Sequence, residues 1–463
     1  MHTQALIDFV TGAMSREPPA SALDAAKLHT LDTLGVALGA RSAAHAAQIE
    51  AALDALGEDG DTSVIGTTRR RSLSGAILVN GALAHGIDFD DSHKFVHPGS
   101  TVVPVALAFA EHYRSTGLAF LNAVVCGYEV AVRVSLAAGV AHRKRGFHPT
   151  GTCNVFGAVA AAGVLAGLDA AELRCAIGIA SSQASGLTQY RFDGGPNKHL
   201  HAGLAGRSGA LAVMLAKAGF AGTRDGLDGE LGFLAVMADG GDPQALTADL
   251  GRSFAIAHTD IKPYPSCRQT HAPIDVALQA VKGDGIRASD IEAIDLHTYA
   301  YNDRPWYVGV KEPASGLEAM LSISYCIALA LVRGRVALQD FEQSSLTDAV
   351  VLGLMKKFRV HIDEGLTSVW PAKRGARLVL TLKDGRTAQY AVEDPSGGDI
   401  RPITREAVHE KFALLTTPVL GAATARRLED AISGCDRARD ISRLLVPLRG
   451  EDAKDASRDR AVA

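Results

Sequence analysis

Acidic and imidazole side chains are concentrated in one short segment of this 463-residue chain. Three aspartates lie within four residues and three histidines surround them: Asp88, Asp90, Asp91, His85, His93 and His97. Neighbouring carboxylates raise one another's pKa, and nearby imidazoles counter that effect. Such opposing influences are typical of acid–base sites. Helix capping is an alternative function for these residues. A metal site is disfavoured, because no His-x-x-x-His pair lies on a predicted helix.

Three further segments carry basic or imidazole side chains. His148 follows a basic run, Lys198 follows Gly-Gly-Pro ahead of a helix of small residues, and Lys262 lies in a proline-rich segment. A lysine at a helix start can bind an anion, since the ammonium and the helix N-terminus are both positive. The basic run could also be a solvated surface, and His148 could be structural. Together these residues suit a substrate with several carboxylates and a proton transfer at carbon.

Composition and motifs exclude several other classes of function. The chain has 47 basic and 51 acidic residues, a balance that argues against nucleic-acid binding. Its six cysteines form no C-x-x-C pair, which is typical of reduced thiols in a cytoplasmic protein. We find no secretory signal, no membrane-length apolar run, and no dinucleotide, P-loop or α/β-hydrolase motif. We therefore expect a cytoplasmic protein that binds neither nucleic acid nor membrane.

The elements that must position these residues change in character along the chain. Up to about residue 262 the pattern is helical, with nearly charge-free segments such as 72–84 that predict helices buried on all sides. Alternating apolar residues then indicate strands, and Asp384-Gly385 between two such runs predicts a hairpin. A helix is expected over 317–331 beside that sheet, and helical patterns return from residue 403.

These patterns predict a mainly α protein with an inserted α+β domain. We expect a large helical-bundle domain from residues 1–262 and 403–450, and a smaller lid domain from residues 263–402. Residues 451–463 are charged and small and are expected to form a flexible tail.

The sequence resembles the MmgE/PrpD family, which includes 2-methylcitrate dehydratase, cis-aconitate decarboxylase and iminodisuccinate epimerase. The resemblance covers residues 5–435 and rests on five motifs in the family's order: His85 to Ser92 with His97-Pro98, Phe147 to Thr152, Lys198 with His201-Ala202-Gly203, Lys262 to Cys267, and Glu318-Ala319 with Ser322 and Tyr325. It implies a helical domain with an inserted α+β lid, a homodimer, and activity without metal or organic cofactor. The stretch 190–197 and His199 depart from the family pattern, and they leave the substrate open.

The resemblance also implies site residues. They are the catalytic residues His97, His148, Asp88 and Tyr307, and the substrate-binding residues Ser92, Lys198, Lys262 and His201.

Our leading hypothesis is a cofactor-independent lyase that acts on a small di- or tricarboxylate. The first case is loss of water from a methylcitrate-like hydroxy acid, and decarboxylation is a variant. Lys198 and Lys262 would bind carboxylates, one of His97 and His148 would remove a proton from carbon, and the other would protonate the leaving group. Asp88 would orient an imidazole. An epimerase on the same scaffold and a carboxylate-binding protein without turnover are the alternatives.

Overall fold

The computed structural model describes residues 2–310 and 312–449. The predicted tail, residues 451–463, lies outside the described residues. Within them the protein has a helical domain and a smaller α+β domain. Buried apolar side chains form two separate cores. One core takes residues from both chain ends, 6–261 and 408–448, and the other is built from residues 272–382 with Tyr190.

The chain begins in the helical domain. Its elements there are α1 (His2–Ala13), α2 (Ala20–Gly39), α3 (Ala44–Ala55), β1 (Thr62–Ser63), β2 (Arg70–Arg71), α4 (Leu73–Ala84), α5 (Gly99–His112), α6 (Gly117–Lys144), α7 (Pro149–Thr152), α8 (Asn154–Ala166), α9 (Ala170–Ser181), α10 (Tyr190–Asp193), α11 (Asn197–Lys217) and α12 (Phe233–Ala238).

The α+β domain follows, and the chain then returns to the helical domain. The α+β elements are α13 (His271–Lys282), β3 (Ile291–Thr298), α14 (Pro305–Val308), α15 (Gly316–Leu321), α16 (Ile323–Arg333), α17 (Ala349–Met355), β4 (Phe358–Ile362), α18 (Glu364–Ser368), β5 (Ala376–Leu382) and β6 (Thr387–Val392). The returning helices are α19 (Arg405–Leu420), α20 (Ala422–Ser433) and α21 (Ser442–Leu448).

Helices α4 and α8 are buried on nearly every side, as their lack of charge predicts. Ser72 caps α4 by accepting a hydrogen bond from the Gly75 amide. Two described stretches, Gly117–Lys144 and Pro149–Ala166, are long and apolar enough to cross a membrane, but 83% and 89% of their most apolar windows are buried inside the protein. Their hydrophobic residues therefore belong to the helical core.

The sheet of the α+β domain has the strand order β4-β3-β5-β6. Strand β4 pairs with β3 in parallel, and the other two pairings are antiparallel. The predicted hairpin is confirmed, since β5 and β6 are joined through Gly385 at a φ of 87°. One face of β5 is buried against α13, and α13 in turn packs against α16, which gives this domain its own core.

The expected helix over 317–331 is interrupted. Helix α15 ends at Leu321, and Ser322 adopts extended backbone angles of φ −76° and ψ 115°. Its hydroxyl then accepts a hydrogen bond from the Tyr325 amide and caps α16. The periodicity did not show this break, because both helices present apolar residues to the same core.

Helices α4 and α11 cross at two glycines. A Cβ atom on Gly203 would lie 2.2 Å from the Leu78 carbonyl oxygen, and one on Gly81 would lie 2.7 Å from the Gly203 Cα atom. Since α4 leads into the acidic segment and α11 carries Lys198 in its first turn, this crossing fixes the distance between the two halves of the site.

We expect Gly203→Ala to destabilise the protein by about 1–3 kcal/mol, because the added methyl group meets backbone that cannot rotate away. Gly353→Ala is the matched control. Gly353 also lies in a helix, but a Cβ there has no heavy atom within 4 Å, so alanine should be neutral or stabilising by up to about 1 kcal/mol. Thermal unfolding followed by circular dichroism measures both. Equal unfolding midpoints for the two variants would contradict the close crossing.

Candidate active site

A narrow cavity of about 30 Å³ lies where the two domains meet. The helical domain and the adjoining α10–α11 region contribute Asp88, Ser92, Lys94, His97, Arg143, His148, Tyr190, Arg191 and Lys198. The α+β side contributes Cys267, Arg268, Gln269, Tyr307 and Leu321.

Six of the eight residues predicted for the site line this cavity, and the other two, Lys262 and His201, contact residues that do. A larger cavity of about 450 Å³ lies elsewhere, around Phe9 and Asn122. Among the described residues that line it there is no histidine, lysine or aspartate. Its proton-transfer groups among these residues are limited to Glu17 and the Cys126 thiol, and it lacks the imidazoles that line the cavity between the domains.

Asp88 is a buried carboxylate held by two ammonium groups. Its Oδ1 atom lies 2.6 Å from Lys262 Nζ and 3.1 Å from Lys198 Nζ, and Lys262 also donates to the Asp88 carbonyl oxygen at 2.8 Å. Burial raises the pKa of Asp88, but the two lysine charges outweigh it and hold the pKa well below its usual range. Asp88 is therefore ionised, and Lys262 fixes its backbone at an unusual φ of 49°.

The two lysines differ in what they offer to a ligand. Lys262 is fully buried behind Asp88, and among the described residues its ammonium has both the carbonyl and the carboxylate oxygen of Asp88 as acceptors. Lys198 lines the cavity, and its Nζ atom has no acceptor with hydrogen-bond geometry in the described part of the chain. Burial lowers the pKa of Lys198, but Asp88 outweighs it and raises that pKa. Lys198 is thus a charged group with donors open to a ligand, whereas Lys262 fixes Asp88.

Asp90, rather than Asp88, lies beside the imidazoles. Its Oδ2 atom is 2.7 Å from His85 Nδ1 and 3.3 Å from His97 Nδ1. The structure therefore differs from the expectation that Asp88 orients an imidazole, because the Asp88 carboxylate faces two lysines. The ring of His97 also donates from Nδ1 to the Asp91 carbonyl oxygen at 2.7 Å. This contact fixes the ring orientation and leaves Nε2 for chemistry.

Asp91 is the residue of the acidic segment that behaves as a helix cap. It accepts a hydrogen bond from the Gly99 amide at the start of α5, at 3.0 Å. Its other oxygen accepts from Tyr128 at 2.5 Å and contacts His29 at 2.9 Å. The capping alternative thus describes Asp91, which lies behind the cavity, and does not describe Asp88 or Asp90.

His148 and His201 form a buried pair, with their Nδ1 atoms 2.9 Å apart. One Nδ1 must donate and the other accept, so each ring constrains the tautomer of the other. Burial, followed by the neighbouring charges of His201 and His85, lowers the pKa of His148 well below 6.5. His148 is therefore neutral near pH 7 and suited to act as a base. His201 does not line the cavity. Its predicted role in substrate binding stays a prediction, and its contact orients His148.

Ser92 and Tyr307 supply hydroxyl groups to the cavity wall. Ser92 Oγ is buried and has no hydrogen-bond partner among the described residues, so it can donate to a ligand. Burial raises the pKa of Tyr307 well above its usual value, so its hydroxyl stays protonated and can also donate. Both residues have the chemistry that their predicted roles require.

Lys411 is a further part of the site that the sequence analysis missed. From α19 its Nζ atom reaches Asp32 Oδ1 at 2.6 Å, the Phe89 carbonyl oxygen at 2.7 Å and the Lys262 carbonyl oxygen at 3.1 Å. A signal was present, because Lys411 lies on the face of α19 that also carries the buried Val408. A lysine on an apolar helix face needs a buried partner.

The fold and cavity define a two-domain protein with a histidine-lined, cation-rich site between the domains. The chain matches the MmgE/PrpD N-terminal domain over residues 4–246 and the MmgE/PrpD C-terminal domain over residues 264–437. The protein belongs to the MmgE/PrpD family, and the resemblance seen in the sequence is confirmed.

Similar proteins of this family include decarboxylases. The chain is 28% identical to a cis-aconitate decarboxylase-like protein of Aspergillus oryzae, over 97% of each chain. It is 26% identical to a cis-aconitate decarboxylase of Aspergillus terreus, over 96% of this chain and 95% of that one. It is 29% identical to the cis-aconitate decarboxylase of Homo sapiens, over 81% of this chain and 79% of that one.

One group near the cavity has ligand types that could hold a metal ion. Single ligand atoms of His85, Asp90 and His97 all lie within 4.8 Å of one another. However, the Lys262 ammonium lies 3.7 Å from Asp90 Oδ1, and the positive charge of Lys198 also acts on His85. Two neighbouring cations oppose a third, so the electrostatics disfavour a metal here.

We therefore predict that activity survives exhaustive treatment with EDTA and dipicolinate, and that elemental analysis finds no stoichiometric metal. The measurements are turnover before and after chelation, and mass-spectrometric metal content. Activity that is lost to the chelator and restored by one divalent ion would contradict the prediction, most strongly if His85→Ala also abolished metal binding.

Proposed function

We propose that this protein is a lyase that decarboxylates an unsaturated polycarboxylate of the cis-aconitate type, without a metal or an organic cofactor. The observation that carries the proposal is the composition of the cavity wall. It combines the open ammonium of Lys198 with the imidazoles of His97 and His148, and Asp88 is the one carboxylate among the described lining residues. Such a wall favours an anionic substrate and offers proton transfer to it.

The reaction needs one proton from the enzyme. The bond between carbon and the leaving carboxylate breaks, CO₂ departs, and the electron pair forms a new double bond at the next carbon. The electrons of the original double bond then take up a proton at its far carbon. The donor recovers that proton from water, so atoms and charge balance.

His97 is the better placed proton donor. Asp90 lies 3.3 Å from its Nδ1 atom and balances the positive charge of a protonated ring. His148 has the opposite environment, since burial and neighbouring positive groups keep it neutral. The two histidines thus face different groups, and on that basis we assign His97 as the acid and His148 as the base.

The neutral His148 supports dehydration as a second candidate. Loss of water from a 2-hydroxy polycarboxylate needs a base to take the carbon-bound proton and an acid to protonate the leaving hydroxyl, and His148 and His97 would fill these roles. The similarity to cis-aconitate decarboxylases at 26–29% identity supports decarboxylation as the first choice.

A panel of polycarboxylates tests the proposal. Cis-aconitate, 2-methylcitrate and a chiral amino dicarboxylate are each incubated with the protein and followed by proton NMR, CO₂ release and optical rotation. We expect CO₂ from cis-aconitate. A new alkene without CO₂ would indicate dehydration, a change in optical rotation alone would indicate epimerisation, and binding without any product would indicate a carboxylate-binding protein.

Histidine variants separate the two lyase reactions. We expect His97→Gln to lower kcat by about 10²–10⁴-fold in either reaction, because the proton donor is lost. His148→Gln should lower kcat as strongly only if a carbon-bound proton is removed. Lys198→Ala should mainly raise KM, because a carboxylate contact present throughout the reaction is lost. Near-normal kcat in a folded His97→Gln protein would contradict the assignment.

The pH dependence gives an independent readout of His148. Because its pKa lies well below 6.5, His148 stays neutral at and above pH 6.5 and gains a proton only at lower pH. A reaction that uses it as base should therefore lose kcat/KM only below pH 6.5. That acid limb should be absent in His148→Gln if His148 is its cause.

A further inference from the structure

We propose that Arg143 and Arg191 form a second carboxylate-binding subsite in this cavity, separate from Lys198, and that they make the protein specific for substrates with at least two carboxylates. The inference rests on the proposed function in one respect, that the cavity is the substrate site. Both arginines line the cavity. Arg191 lies in the stretch 190–197, which departs from the family's pattern.

Arg191 is a buried guanidinium held between aromatic rings. Its charged carbon lies 5.8 Å from the ring centres of both Tyr190 and Trp306. Its Nε atom is buried and has no hydrogen-bond partner among the described residues. The aromatic contacts orient the side chain, and the open Nε–H leaves it able to bind a ligand oxygen.

Arg143 approaches from the end of α6. Its guanidinium carbon lies 4.9 Å from the ring centre of Phe95 and 5.4 Å from that of Tyr301, and its Nε atom donates to the Tyr301 hydroxyl at 3.0 Å. Phe95 belongs to the helical domain and Tyr301 to the α+β domain. Arg143 is therefore held at the junction of the two domains, on the wall of the cavity.

Tyr301 shows that the two guanidinium groups converge. Burial raises the pKa of its hydroxyl, but the charges of Arg143 and then Arg191 outweigh it and lower that pKa below the usual value. Both arginines thus act on one oxygen atom. A ligand carboxylate bound beside that hydroxyl would face the same two charges, and it would accept stronger hydrogen bonds than a neutral hydroxyl does.

The charges around the subsite are not balanced by the protein. Within residues 2–310 and 312–449, no carboxylate forms an ion pair with Arg143 or Arg191. By contrast, Arg268 on the same wall pairs with Asp260 at 2.8 Å, and Lys198 pairs with Asp88. A buried charge without a counter-ion is costly, so a bound anion would relieve that cost. A planar guanidinium suits a carboxylate because it can donate two parallel hydrogen bonds.

The subsite also explains how the cavity would select its substrate. One carboxylate would bind at Lys198 and another at the arginine pair, so the reacting carbons would lie between two fixed points. An acid with a single carboxylate would either leave the arginine pair without an anion or forgo the free donors of Lys198, and would be disfavoured for that reason.

Binding of tricarballylate to the full-length protein tests the subsite. This tricarboxylate has neither a hydroxyl group nor a double bond, so it can bind but cannot undergo the proposed reactions. By isothermal titration calorimetry we expect Arg191→Leu to weaken its binding by roughly 10- to 100-fold, with partial recovery in Arg191→Lys. Arg143→Leu, at a less buried position, should weaken it in the same direction.

Lys144→Leu is the matched control. It removes one positive charge from the residue next to Arg143, but Lys144 is exposed and is not among the residues that line the cavity. Its affinity for tricarballylate should equal that of the unaltered protein. Circular dichroism checks that all variants are folded. If Arg191→Leu does not fold, Arg143→Leu decides the question.

The outcomes separate this inference from the proposed function. Undiminished tricarballylate affinity in both folded arginine variants, or no binding by the unaltered protein, would overturn the subsite, even if turnover of a polycarboxylate is observed. Arginine-dependent binding without turnover of any polycarboxylate would support the subsite and overturn the proposed lyase. In an active protein, Arg191→Leu should raise KM more than it lowers kcat.

Discussion

The free-energy cost of burying the charge of Asp88 constrains much of the molecule. A buried carboxylate must be paired and hydrogen-bonded, and here the partners are Lys198 and Lys262, distant in sequence. Three parts of the chain must therefore meet at one point. They are the segment that follows α4, the start of α11, and the segment around Lys262 that leads into the α+β domain. The close crossing at Gly203 is one consequence, because a larger residue would hold α11 away from Asp88.

The same constraint extends to the C-terminal end of the chain. Lys411 on α19 pairs with Asp32 on α2 and binds the carbonyl oxygens of Phe89 and Lys262. It therefore ties α19 to the backbone beside Asp88 and to the segment that enters the α+β domain. A helical domain built from both chain ends is what allows this contact, since the inserted domain lies between Lys262 and Lys411 in sequence.

Within the cavity, the two histidines face different neighbouring groups. His97 lies beside a carboxylate, whereas His148 is buried among histidines and near Lys198. The proposed assignment of His97 as acid and His148 as base rests on this difference, although the two side chains share one cavity wall. Among the described lining residues, cations outnumber carboxylates, which supports the proposed anionic substrate.

The sequence by itself determined local structure and the composition of the site. Periodicity predicted the buried helix that Ser72 caps and the hairpin at Gly385, because both depend on neighbouring residues, and spacing with family resemblance brought together six residues that line one cavity. It could not predict the break at Ser322, where two helices share one apolar face. Only the tertiary structure decided that Lys262 holds Asp88, that His201 contacts His148 and that Lys411 joins the chain ends. Each of these contacts joins residues at least 50 positions apart, and their partners depend on how helices pack, which local pattern does not encode.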